Sequence, residues 1–320
     1  MTFSEITFAG MKLPADTEVV RIPNINSPNL DALTGLSRLR ELRLPHTDPH
    51  HGRASLPLRL DPVAALSSLE VLELPKYRII DIAPLRSLQH LRELDLSWTP
   101  IDDLAVLQNL SKLSVLRLRG TYVHSLEPLR GLTRLTHLDV AHTFVDDLRP
   151  LEGLVGLKEL HIEGDPVSDL APLRRLDRLA SVSIAGTRLN SLAEISDLRW
   201  FRQATRLDLS ATDLTALHGI EQATSASELF LFNTRVHDLA PLAHLTRLHV
   251  LRLDNTPISD LSPLAALTAL EYLSIDGTAV TGLEPLRGLQ HLAVLNLGDT
   301  AIPDSEIQAL VADNSGLRTI

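Results

Sequence analysis

Residues 91–110 read LRELDLSWTPIDDLAVLQNL, and close variants of this stretch recur along most of the chain. Their consensus is L-x-x-L-x-L-x-x-T-x-I-x-D-L-x-P-L-x-x-L, and successive copies usually lie 22 residues apart. The fourth consensus position falls at Val20, Leu42, Leu72, Leu94, Leu116, Leu138, Leu160, Val182, Leu207, Leu229, Leu251, Leu273 and Leu295. These copies predict a solenoid of about 13 repeats, because a unit this short buries its apolar face only against its neighbours.

Each copy divides into a strand half and a return half. The x-L-x-L-x segment alternates as a half-buried strand does, with the leucines inward and the intervening residues outward. The proline of D-L-x-P-L removes a backbone donor, which favours a short extended or 3₁₀ return. Narrow returns opposite a wider strand layer predict a curved array whose strand face is concave.

The repeat resembles the leucine-rich repeat family, and its 22-residue length with D-L-x-P-L in the second half resembles the internalin-like subclass. The resemblance covers residues 17–300. It implies an α/β solenoid: a horseshoe or arc with a concave parallel β-sheet and short 3₁₀ or extended convex segments. At the ninth position, where the family usually carries Asn, this chain mostly carries Thr, with Tyr77 and Asp165 as exceptions. A Thr hydroxyl offers one donor and two lone pairs, so we expect a substitute structural ladder.

Departures from the 22-residue period mark the ends of the solenoid and two irregular segments within it. We predict an N-terminal cap at 1–16, the solenoid at 17–300, and a C-terminal cap helix with a partial repeat at 301–320. Excess residues at 48–57 predict an inserted loop, and 188–204 form an irregular longer repeat with helical apolar spacing at 192–204. Trp200 and Phe201 are expected to fill that wider turn. The chain stops in phase with another strand, so Ile320 ends the cap or marks a truncation before another domain.

Composition narrows the classes of protein. Without cysteine there are no disulfides, no thiolate nucleophile and no Cys-based zinc site. A formal charge of -10 weighs against nucleic acid, which needs a basic face. The first residues lack the features of a secretory leader and no stretch approaches a membrane span, so a cytoplasmic location is expected. Secretion into a host without a readable signal is the alternative.

Outward strand positions in the middle repeats carry alternating charges. Arg117, Asp139 and His161 follow one another at the fifth position, and Arg119 joins them from the seventh. Such pairs are worth a few tenths to about 1 kcal/mol when exposed. A sharper alternative is zinc held by residues of this patch, namely His137, Asp139, Glu159 and His161. His46, His50 and His51 form a second histidine cluster.

The open ribbon offers no water-excluded cavity, no phosphate loop and no nucleophile beside a base. We therefore predict no enzyme activity, no metal and no cofactor.

Aromatic residues gather toward the C-terminal end. Phe230 and Phe232 are expected at outward positions of one strand, with Arg252 and Asp254 on the next and Tyr272 on the one after. Exposed aromatic rings beside arginine have the composition of a binding hot spot. The alternative is that the rings only cover each other.

These patterns predict a non-catalytic protein-binding scaffold that recognises a macromolecular partner through its concave face. The alternative, by fold analogy alone, is the substrate-recognition domain of a larger bacterial effector such as a ubiquitin ligase. Nothing in the sequence identifies the partner or sets the oligomeric state. The predicted partner-binding residues are Phe230, Phe232, Arg252, Asp254, Tyr272, Trp98, Arg117, Arg119, Asp139 and His161.

Overall fold

The computed structural model describes residues 5–26, 28–46 and 57–320. The chain forms two compact units, Met1–Asp165 and Pro166–Ile320. Residues 48–56 of the predicted insertion, with His50 and His51, lie outside the described residues. Within the described part, no helix has the length and apolar character needed to cross a membrane.

The first unit begins with an antiparallel hairpin, after which parallel strands pair in chain order. The strands are β1 Glu5–Phe8, β2 Met11–Pro14, β3 Val19–Arg21, β4 Glu41–Arg43, β5 Val71–Glu73, β6 Glu93–Asp95, β7 Val115–Arg117, β8 His137–Asp139 and β9 Glu159–His161. Short 3₁₀ helices follow at Leu30–Leu33, Asp61–Ala65, Ala83–Ser87, Ala105–Asn109, Glu127–Leu129 and Arg149–Leu151.

The second unit continues the same alternation, and β11 to β16 pair in parallel. Its strands are β10 Ser181–Ser183, β11 Arg206–Asp208, β12 Glu228–Phe230, β13 Val250–Arg252, β14 Tyr272–Ser274, β15 Val294–Asn296 and β16 Arg318–Thr319. Its helices are α1 Arg199–Gln203 and α2 Asp304–Asp313, with 3₁₀ helices at Ala171–Arg175, Ile220–Gln222, Ala240–Leu242, Ser262–Ala266 and Glu284–Leu286.

Consensus leucines form the core of both units. In the first unit, Leu94, Leu116 and Leu138 pair across neighbouring strands and are at most 1% exposed. Burying such a side chain stabilises the fold by about 1.5–3 kcal/mol. Each turn repeats this gain, and most strand residues on either side of the fourth position remain at least partly exposed, whereas Val71, Phe230 and Ser274 are buried.

The aspartate of D-L-x-P-L starts the return. Its carboxylate accepts a hydrogen bond from the backbone N–H two residues later, as in an Asx turn. The distance is 2.8–2.9 Å at Asp81, Asp103, Asp147, Asp169, Asp238 and Asp260. This bond turns the chain into the 3₁₀ helix and explains why the consensus keeps an acid at that position.

The ninth-position threonines do not form the expected ladder. Their hydroxyls donate to the backbone carbonyl three residues earlier in the same turn, at 2.5–2.7 Å, in Thr99, Thr121, Thr187, Thr212, Thr234, Thr256, Thr278 and Thr300. Thr143 differs, because its hydroxyl donates to Asp165 of the next turn at 3.1 Å. The threonine therefore closes its own turn.

Replacing Thr256 by Val tests the value of this bond. The buried Leu253 carbonyl would lose its hydroxyl partner at nearly constant side-chain volume, so we expect a loss of about 1–3 kcal/mol in the free energy of unfolding. Urea unfolding of the variant measures it. Thr256→Ser keeps the hydroxyl and should recover most of the loss; equal losses in both variants would contradict a role for the bond.

The irregular repeat contains a shorter helix than the sequence predicts. Helical spacing was expected over 192–204, but α1 covers only Arg199–Gln203 and 192–197 form a turn. Trp200 and Phe201 are 3% and 0% exposed, and their rings meet edge to face with centroids 5.8 Å apart. Two adjacent large rings fill the space that one return occupies elsewhere.

Candidate interaction surface

The middle of the first unit presents its charges differently from the predicted ladder. Arg117 lies in register between Asp95 and Asp139, yet among the described residues it makes no ion pair. Arg119 takes that role. Its Nη1 atom lies 3.2 Å from Glu163 Oε2 and 3.9 Å from Asp139 Oδ1, so it reaches two turns along the strand face. The predicted pairing is therefore wrong for Arg117, which keeps a guanidinium available.

His161 and Asp139 lie in the same patch and their electrostatics differ. The Glu163 carboxylate, 3.6 Å from His161 Nδ1, raises the pKa of the imidazole against the opposing effect of burial. Burial raises the pKa of Asp139, although its Oδ1 accepts a hydrogen bond from Ala141 N at 3.0 Å. The patch is therefore partly desolvated and mixed in charge, which suits selective contact with a charged partner.

The same residues do not assemble a metal centre. His137 Nε2 approaches Glu159 Oε1 at 3.5 Å, while His161 faces Glu163. The two histidines thus form separate pairs. Across the ranges that the structure describes, no group of three or more His, Cys, Asp or Glu side chains could hold an ion. His46 instead lies 3.2 Å from Asn26 Oδ1 through its Nε2 atom.

In the second unit, Arg252 contacts two residues of the predicted aromatic cluster, Phe232 and Asp254. Its guanidinium carbon lies 4.7 Å from the Phe232 ring centroid, and its Nε donates to Asp254 Oδ2 at 3.0 Å. Asp254 is only 5% exposed and also accepts from the Ser274 hydroxyl. Its carboxylate therefore holds Arg252 in place. Tyr272 stands half-buried at the start of β14.

Phe230 does not have the exposure that the sequence suggested. Its ring is only 9% exposed because the guanidinium of Arg206 covers it, with Cζ 4.7 Å from the centroid. The expectation of an exposed anchor is wrong here. Phe232 keeps partial exposure, and Phe230 acts as packing beneath Arg206.

Three large aromatic rings of the first unit are about half exposed. One of them was predicted from the sequence; the other two lie outside the strand positions and were not predicted. Trp98, Tyr122 and Phe144 are 50%, 55% and 51% exposed. Tyr122 and Phe144 occupy the tenth repeat position, one residue beyond the threonine, in two successive turns. The signal in the sequence that could have predicted this pair is that two aromatic residues occupy the same repeat position in neighbouring copies.

Comparisons with known proteins agree with this architecture. A family model described as Leucine Rich repeats (2 copies) matches residues 227–266. An internalin of Listeria monocytogenes is similar at 27% identity, covering 81% of this chain and 75% of its own, with a TM-score of 0.73. A leucine-rich repeat protein of Leptospira interrogans is 16% identical, covering 96% of both chains, with a TM-score of 0.72.

A plant peptide hormone receptor in complex with RGF2 is 16% identical over 96% of this chain and 55% of its own, with a TM-score of 0.68. No curated protein sequence matches the chain. The predicted fold class is confirmed: the chain is a leucine-rich repeat solenoid with parallel strands and many short 3₁₀ turns.

Proposed function

We propose that the chain is a non-catalytic protein-binding scaffold whose partner docks on the strand face, which the narrow returns predict to be concave. The cluster of Phe232, Arg252 and Tyr272 carries this proposal. Aromatic residues and arginine are the side chains that most often supply interface energy. Here the arginine is held in advance by Asp254 and by the Phe232 ring, so less rotamer entropy is lost on binding.

The charged patch of the first unit supports the same role. Arg117, Arg119, Asp139 and His161 combine one unpaired guanidinium with mixed, partly buried charges. Such patterns favour one partner over another more than they add affinity. Trp98 contributes a half-exposed ring. In this assignment Phe230 and Asp254 position their neighbours and do not meet the partner directly.

Removing the two accessible rings of the second unit tests the proposal. A variant with Phe232→Ala and Tyr272→Ala should capture the native partner from the source lysate at least about 30-fold less well than wild type, because a hot spot is worth about 2 kcal/mol or more. The captured protein is identified by mass spectrometry, and its affinity is then measured with purified components.

The matched control removes the same residue types elsewhere. Phe144→Ala with Tyr122→Ala deletes one Phe and one Tyr from the first unit and should retain the partner. Circular dichroism establishes that both variants remain folded. Retention of the same partner by both variants at wild-type affinity would show that the Phe232 cluster is only packing.

The finer expectations from the sequence stay predictions. A role in a larger bacterial effector requires further domains joined to these residues, which the complete reading frame would reveal. Subcellular fractionation tests the cytoplasmic location. We also propose that the repeats are a variant of the 22-residue internalin-like type, with Thr at the position where the family usually carries Asn; the support is the hydroxyl bond that most of these threonines make within their own turn.

A further inference from the structure

We propose that the first unit carries a second docking surface, which binds an extended protein segment with two basic side chains. The surface is the aromatic edge, defined as Trp98, Tyr122, His124, His142 and Phe144. It lies beyond the strands, in the turns that lead to the 3₁₀ returns. It shares no residue with the Phe232 cluster of the second unit.

The Trp98 ring lies flat along this edge because large residues and glycines alternate at its repeat position in successive turns. The eighth repeat position carries Trp98, Gly120, His142 and Gly164 in successive turns. A Cβ on Gly120 would stand 2.2 Å from the indole, so the glycine leaves the space that the ring fills. The indole then stacks on His142, with ring centroids 6.2 Å apart and an interplanar angle of 25°. His142 lies in the same way against Gly164.

The other rings are also fixed before any partner arrives. The backbone N–H groups of Tyr122 and Phe144 donate to carbonyls of the preceding turn at 2.8 and 2.9 Å. The Phe144 ring stacks on His124 at 4.9 Å and meets Tyr122 at 6.2 Å between centroids. Tyr122 and Phe144 remain more than half exposed despite these contacts. A rigid exposed aromatic patch is uncommon on a surface that binds nothing.

Charge decides which partner fits. The segments 98–102, 120–124 and 142–146 contain two carboxylates, Asp102 and Asp146, and no Lys or Arg. Both aspartates are exposed, and neither has an ion pair or hydrogen bond within the described ranges. Their neighbours Asp103 and Asp147 are used as turn caps. Nearby Arg119 is already engaged by Glu163.

Unpaired carboxylates beside open ring faces select cations, because arginine and lysine gain from both groups at once. Asp102 and Asp146 occupy the same repeat position two turns apart, or roughly 10 Å at about 4.8 Å per turn. A segment in the extended polyproline II conformation has three residues per turn and rises about 3.1 Å per residue, so its residues i and i+3 share one face and lie about 9 Å apart. The best ligand is therefore a segment with basic residues at i and i+3 and apolar residues between them, which lie against Tyr122 and Phe144.

A peptide selection tests this directly. A display library of random peptides of about ten residues is selected on the full wild-type chain near pH 8, where histidine is ordinarily neutral. Binders retained by the variant with Tyr122→Ala and Phe144→Ala are removed. We expect the remaining peptides to be enriched in Arg or Lys pairs spaced i, i+3. The best peptide should bind that variant at least about tenfold more weakly than wild type.

Charge is tested with isosteric changes. Asp102→Asn with Asp146→Asn should weaken the same peptide at least about fivefold and flatten its salt dependence. The matched control, Asp177→Asn with Asp213→Asn, changes two exposed aspartates of the second unit and should leave binding unchanged. The variant with Phe232→Ala and Tyr272→Ala should also bind normally, so loss of the Phe232 cluster and failure of this surface give different results.

Three outcomes would overturn the proposal. The first is that no peptide survives subtraction with the ring variant. The second is that the survivors are neutral or acidic, which would mean a purely apolar surface. The third is equal binding by wild type and the variant with Asp102→Asn and Asp146→Asn.

Discussion

Phe201→Ala is expected to lower the free energy of unfolding of the second unit by about 3–5 kcal/mol. The ring is fully buried in α1, and its aromatic neighbour Trp200 is itself 3% exposed. Deleting it leaves a cavity in a repeat whose return contains an α-helix and is longer than the consensus. The leucines of adjacent turns are already fully buried, so they have little freedom to move into the space.

Tryptophan fluorescence measures this effect unit by unit. The chain has two tryptophans, Trp98 in the first unit and Trp200 in the second. Urea unfolding in a Trp98→Phe background therefore reports on the surroundings of Phe201. Phe232→Ala in the same background is the control, because this ring lies in the same unit and is partly exposed, so its loss should cost less than the loss of Phe201. A loss below about 1 kcal/mol for Phe201→Ala would mean that the wider turn is not packed around that ring.

Much of the fold could be predicted because the repeat restates it many times. Leu94, Leu116 and Leu138 occupy the same position in successive copies. If one of them is buried in the core, the other two are expected to be buried as well. The same logic predicts a strand around them, over x-L-x-L-x, and a proline-bearing return. An Asx cap such as Asp103 is also local, since its partner lies two residues away. These features depend on spacing and short-range chemistry, which the sequence states directly.

The candidate site was harder to predict because long side chains form ion pairs and ring contacts with residues of other turns. Arg206 covers Phe230, and Arg119 pairs with Glu163 two turns away, while Arg117, in register between two aspartates, has no ion pair among the described residues. Neither choice follows from lateral order alone. The threonine ladder failed for a different reason. A hydroxyl that follows a positive-φ eighth residue can reach the carbonyl of its own turn, as Thr99 does after Trp98 with φ 62°, and where the next turn offers the Asp165 carboxylate, Thr143 donates to that carboxylate instead.

Asp165→Asn is expected to stabilise the first unit above neutral pH. Asp165 is the exception at the ninth position and is 1% exposed. Its Oδ1 accepts from Thr143 N at 2.6 Å and from Thr143 Oγ1 at 3.1 Å, whereas Oδ2 is buried without a hydrogen-bond partner within the described residues. Burial raises the pKa of Asp165 to about 7 from the ordinary 3.8. Asparagine keeps the acceptor and never carries the charge.

The sign of the pH dependence follows from this raised pKa. The folded state holds the proton more tightly than the unfolded state, so the stabilisation is fully present below about pH 4 and is lost as pH rises through about 7. Roughly three pH units at about 1.4 kcal/mol each set an upper limit near 4 kcal/mol. We expect the variant to match wild type near pH 4 and to exceed it by about 2–4 kcal/mol at pH 8.

The difference between wild type and variant isolates this group from the rest of the titration. Salt-bridged acids such as Glu70 have lowered pKa values and make the whole protein less stable at low pH, but they contribute equally to both proteins. Urea unfolding followed through Trp98, in a Trp200→Phe background, gives the difference across pH 4–8. Asp102→Asn, at an exposed aspartate of the same unit, is the matched control. A flat difference for Asp165→Asn would mean that the carboxylate is charged and satisfied at every pH, and that a polar group compensates Oδ2.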